Sequence, residues 1–190
     1  MIDSLTIMNV RLYYAIPGHN KSSKSNAMEN KMAFSTTAIG LKVLYIGLLV
    51  GTFDILAALT NYYISTGKNP IVIFKYISSG VLGTDAFAGG TGIILMGLLL
   101  HYIIALSFTI LFCILYYNVK LPPNYKIFTG IAYGIFIWAV MNLIIVPLSH
   151  TPKSPFDIAH ALKEMLILIF MIGLPLSFLT GRFIFPKTYR

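Results

Sequence analysis

Four long runs of apolar residues dominate the chain, at roughly 40–63, 92–118, 126–149 and 160–183. A helix rises about 1.5 Å per residue, so about 20 apolar residues cross the hydrocarbon core of a bilayer. Every run meets that length, and the pattern predicts four transmembrane helices. Pro122-Pro123-Asn124 predicts a tight turn between the second and third, and His150-Thr-Pro-Lys-Ser-Pro155 breaks the third from the fourth. Pro147 and Pro175 stand inside the last two runs and predict kinks, because proline has no N–H to give the helix.

The break between the first two runs is longer. Asn69-Pro70 reads as a helix cap followed by proline at the first helical position, predicting a helix over Ile71 to Ser79 ended by Gly80. Ten residues reach only about 15 Å, too short to span. The glycines from Gly80 to Gly92 permit close-packed backbone there. The predicted fold class is therefore an all-α membrane protein of four transmembrane helices, with a short interfacial or re-entrant helix between the first two. Residues 1–37, which include Lys21-Ser-Ser-Lys-Ser-Asn26, are expected to be a flexible polar tail. Residues 38–185 would form the membrane domain and 186–190 a second tail. Met28 or Met32, just ahead of the first run, is an expected alternative start of translation.

Composition sharpens the class. Charged residues are 11% and apolar ones 57%, against about 25% and 45–50% in soluble domains. Mean hydropathy is +0.79. The formal charge of +8 sits in short stretches between the apolar runs, which fits anionic lipid headgroups rather than nucleic acid. The bilayer is thus the expected partner, with a homo-oligomer compatible. With the N-terminus inside, ten Lys and Arg residues fall on the cytoplasmic side and Lys68, Lys75, Lys153 and Lys163 on the other. That asymmetry predicts cytoplasmic termini. Cys113, the one cysteine, lies in an apolar run and reads as a packing residue.

Ionisable groups inside spans are costly and mark candidate sites. Gly47, Gly51, Asp54, Ala58 and Asn61 share one stripe of the first helix at 100° per residue, so Asp54 is expected to face a closely packed neighbour. Gly97, His101 and Ala105 form a similar stripe on the second. Asn142 shares a face with Ser149, and His160 and Glu164 are neighbours one turn apart. Counted from the basic residues at the cytoplasmic ends, Asp54 stands about 18 Å up, Asn142 about 24 Å, Glu164 about 27 Å and His101 about 28 Å. The five residues Asp54, His101, Asn142, His160 and Glu164 are the predicted polar cluster, in a pocket opening outward. One His-x-x-x-Glu pair does not make a metal site, and no metal or cofactor is expected. The soluble catalytic motifs His-Glu-x-x-His, Gly-x-Ser-x-Gly and the P-loop do not occur.

Gly47-x-x-x-Gly51-x-Phe53 recurs as Gly130-x-x-x-Gly134-x-Phe136, so a duplicated hairpin is one reading. Gly51-Thr-Phe-Asp54, Ser79-Gly-Val-Leu-Gly83, Ala86-Phe-Ala-Gly-Gly90, Leu98-Leu-Leu-His101, Tyr133-Gly134, Met141-Asn142, Val146-Pro-Leu-Ser149 and Gly173-Leu-Pro175 follow in that order. Together they resemble a group of uncharacterised bacterial four-helix inner-membrane proteins, similar in layout to the YagU-like family, over about residues 45–180. The resemblance implies an inner-membrane location, an association with acid tolerance and no established substrate. Three functional classes follow. The first is a small transport or permeability component using the polar pocket. The second is an accessory subunit whose polar residues hold helices together. The third is a membrane-embedded enzyme at the outer leaflet.

Overall fold

The structure, a computed structural model, describes residues 19–119, 125–152 and 157–184, with side chains from Thr37 onward. The turn expected at Pro122-Pro123-Asn124, residues 1–18 and the tail 186–190 lie outside the described residues. Contacts divide the chain into two compact units, Met1–Gly40 and Leu41–Arg190. Helix α1 runs His19–Thr66. Residues 19–37, expected as tail, are thus helical. No glycine or proline interrupts them, and Lys21, Lys24, Ala27, Met28, Glu29, Lys31, Met32 and Ala33 are good helix formers.

Four helices are long and apolar enough to cross a membrane: Thr37–Thr66 within α1, Thr91–Val119 (α3), Lys126–Leu148 (α4) and Ile158–Ile184 (α5). These are the four predicted spans, and among the described residues there is no strand. Large apolar side chains such as Leu41, Leu56, Leu99, Ile127 and Phe170 point outward, as a lipid-facing surface requires. The core is a band of Ile46, Val50, Phe108, Phe112, Tyr116, Tyr133, Ile137, Ile172 and Leu176, drawn from all four helices.

Consecutive spans close on one another through glycines. A Cβ built on Gly47 would stand 2.6 Å from Leu106 Cδ2, and one on Gly51 would stand 3.0 Å from Ala105 Cβ. In the second hairpin a Cβ on Gly130 would meet the Gly173 carbonyl at 2.9 Å, and one on Gly134 the Ile169 Cα at 2.6 Å. The two glycine pairs of the repeated motif therefore serve the same purpose, each seating a span on the next span. Tyr133 joins the hairpins, its hydroxyl donating to the Phe108 carbonyl at 2.6 Å. Lysines tie α1 to α5 at both ends: Lys42 Nζ donates to the Phe183 carbonyl at 3.0 Å, and Lys163 Nζ to Ser65 Oγ at 2.9 Å.

Proline shapes the last two helices. α4 widens to a π turn at Met141–Ile145 just before Pro147, and α5 at Ile169–Gly173 just before Pro175. The ring displaces the carbonyl four residues back and supplies no N–H, so the helix takes an extra residue into the turn. This is the form the predicted kinks take.

The short helix α2 runs Val72–Leu82. Asn69 Oδ1 accepts the Ile71 N–H at 3.0 Å, a turn ahead of the helix, but the capping position itself is Ile71 rather than the predicted asparagine. The exit differs from expectation. Gly80 lies inside the helix, its carbonyl accepting the His150 N–H at 3.1 Å. The helix stops at Gly83, where φ is +65°, a conformation that glycine adopts without a Cβ penalty. A short 3₁₀ turn, Gly83–Phe87, follows, and Lys75 Nζ reaches its Phe87 carbonyl at 2.9 Å.

α2 packs antiparallel to α3. Ser78 Oγ donates to the Ile93 carbonyl at 2.7 Å, and a Cβ on Gly97 would collide with the Phe74 carbonyl. Four residues forward on α2 correspond to four residues back on α3. The helix thus lies beside the first two turns of the α3 span, with its start about 9 Å or more below Thr91.

Candidate functional site

Asp54 is half-buried on α1, one turn beyond Gly51. Facing it from α3 is His101, 8% exposed and within electrostatic reach of the carboxylate. His101 Nε2 lies 2.8 Å from the Gly51 carbonyl. A carbonyl only accepts, so Nε2 carries the proton in that bond. This contact exists because Gly51 and Ala105 let the two backbones approach, so the small-residue stripes and the polar pair are one arrangement. Asp54 itself accepts no hydrogen bond among the described residues.

Thr52 and Tyr102 extend the polar contact between these helices. Their oxygens are 2.9 Å apart, and Thr52 Oγ1 also donates to the Leu48 carbonyl at 2.8 Å. Neither residue was predicted for the site. A tyrosine beside a histidine in an apolar run looks like packing until a partner hydroxyl is placed opposite.

The remaining predicted residues occupy a second level. Lys163–Ser65 fixes the register of α1 and α5, and the Ser177 hydroxyl on the Lys126 carbonyl at 2.8 Å fixes α4 and α5. Along those registers His160, Glu164 and Asn142 stand about 15–21 Å nearer the α2 end than Asp54 and His101. His160 Nε2 is 3.0 Å from Glu164 Oε1, with both side chains largely exposed. Asn142 Nδ2 donates to the Trp138 carbonyl of its own helix at 3.2 Å. The structure therefore brings Asp54 to His101 and His160 to Glu164, and leaves Asn142 bonded within α4.

Tyr76 of α2 joins the second level. Burial raises its hydroxyl above the ordinary tyrosine value, and the nearby Glu164 carboxylate raises it further. Tyr76 therefore keeps its proton. On the other side of Glu164, the Lys163 ammonium donates to Ser65 Oγ, and Ser65 in turn donates to Asn61 Oδ1 at 3.4 Å. Among the described residues no group of three or more His, Cys, Asp or Glu could hold a metal ion.

Compared with protein-family models, curated proteins and solved structures, the chain matches none. The functional reading rests on the geometry of these two levels.

Proposed function

We propose that this chain is a small multipass inner-membrane transport or permeability component, with the Asp54–His101 pair as its proton-responsive centre. The observation that carries the reading is an Asp54 carboxylate inside a span, within electrostatic reach of His101 and taking no hydrogen bond among the described residues. An acidic residue at mid-helix costs about 2.5–3.5 kcal/mol to insert. An interhelical polar contact in a membrane returns only about 0.6 kcal/mol on average. Helix association alone leaves Asp54 a net loss, whereas a titrating centre needs an ionisable group at that depth.

The ten-to-four split of Lys and Arg supports cytoplasmic termini and an outward-facing α2 end. The resemblance to the YagU-like layout supports the inner membrane as the location. A second reading, an accessory subunit, draws on the same His101: its bond to the Gly51 carbonyl also locks α1 to α3.

The two readings separate in liposomes containing the purified chain and a trapped pH dye, with a potassium gradient and valinomycin setting the voltage. Proton uptake is expected for the wild type. Asp54→Asn and His101→Gln should each lower it at least tenfold while melting near the wild-type temperature in detergent. Wild-type liposomes no leakier than empty ones, with both variants melting early, would instead support the accessory role.

A further inference from the structure

Beyond the central pair, the polar side chains of α1 line up in an order of their own. Asp54, Ala58, Asn61 and Ser65 fall within about 60° of one another around the helix and climb from mid-span to its α2 end. Ser65 is exposed, Asn61 and Asp54 are half-buried, and His101 is buried. This face is thus open at the helix end, half-buried from Asn61 to Asp54, and closed at its foot by the buried His101 of α3. The top of this line is wired to α5 by the Lys163–Ser65–Asn61 hydrogen bonds. Next to Lys163 stands Glu164, paired with His160, and Tyr76 of α2 lies within electrostatic reach of Glu164. Three elements meet at that mouth.

We propose that water and protons reach the Asp54–His101 pair along this face of α1, past Ser65, Asn61 and Ala58, from the mouth formed by Lys163, Glu164 and Tyr76. The cargo rests on the transport reading above. The route itself rests on the hydrogen-bond chain and on the burial pattern. Between Asn61 and Asp54 the helix rises about 10 Å, a gap that water can bridge only if the side chains between are small. Ala57 and Ala58 fill that interval. The charged and titratable groups facing the route are Lys163, Glu164 and His160 from α5, Tyr76 from α2 and His101 from α3. Lys163 and Glu164 place opposite charges at the entrance, and Ser65 and Asn61 supply the hydroxyl and amide groups that a proton relay through water requires.

The test uses the full chain in liposomes on a Cys113→Ser background. Ala58→Cys and Asn61→Cys should react with a charged, membrane-impermeant methanethiosulfonate at least tenfold faster than Leu56→Cys, which lies at similar depth on the opposite, exposed face. Rates no faster than that control overturn the route. In the proton-uptake assay, Asn61→Leu should cut the rate at least tenfold and Asn61→Ser should keep it. Unchanged uptake in Asn61→Leu, with Asp54→Asn silent, overturns the route and leaves the transport reading standing. Rapid labelling in a chain that moves no protons has the opposite meaning: the wet route stands and the transport reading falls. Should Asn61→Leu fail to fold, labelling at Ala58 decides, since Ala→Cys adds a single sulfur.

Discussion

Gly97 shows how much a single methyl group can matter in this bundle. A Cβ there would collide with backbone, the Phe74 carbonyl, which has no rotamer by which to move aside. Gly92, little more than a turn earlier on the same helix, has nothing within 4 Å of such an atom. Gly97→Ala is therefore expected to destabilise by about 1–3 kcal/mol, lowering the detergent melting temperature by roughly 3–10 °C. Gly92→Ala should leave it unchanged. Equal melting of the two variants would remove α2 from its seat on α3. The sequence shows that Gly97, His101 and Ala105 share a stripe of small residues, but helical phase gives only a direction. It does not reveal that the stripe divides between two partners, with Gly97 serving α2 and Ala105 serving α1. The Asp54–His101 pairing was legible because both residues interrupt apolar runs beside glycine or alanine. Thr52 and Tyr102 were not, because a hydroxyl on an apolar helix can always bond its own backbone.

Element boundaries follow the same logic. The four spans were readable to within a few residues, since hydrophobic length is a property of each segment alone. The end of α2 was not. Gly80 and Gly83 are equally able to stop a helix, and the choice depends on distant partners: Ser149 and Thr151 pack beside Gly80, and the His150 N–H takes its carbonyl. The direction of α2 follows from its pairing with α3, and it carries a sharp expectation. Its start should lie deeper in the bilayer than its end. Spin labels on Ile71→Cys and Val81→Cys, both exposed apolar positions, measure this with the Cys113→Ser chain in liposomes. Ile71 should relax more with oxygen and Val81 more with a water-soluble nickel chelate. The reverse order would mean that α2 lies on the membrane surface or enters in the other sense.

For the whole molecule, orientation is the property that side-chain packing does not reveal, because a four-helix bundle packs identically in either sense. Charge along the chain decides it. Reporter fusions at Asn124 and after Arg190 are expected to read as cytoplasmic, and fusions at Lys68 or Ser154 as external. Swapped signals would turn the proposed mouth at Lys163 and Glu164 toward the cytoplasm. The separation of the polar residues into two levels was likewise hidden, because counting from basic anchors ignores the register between helices. The glycine seams have one further consequence. The first seam joins the α1 span to the next span, α3, and the second joins α4 to α5, so each hairpin has its seam available as soon as its second span has left the ribosome. The first pair, with α2 between its helices, can close before α4 has been synthesised. The second pair then docks on a finished surface through Tyr133, and the order of translation becomes the order of assembly.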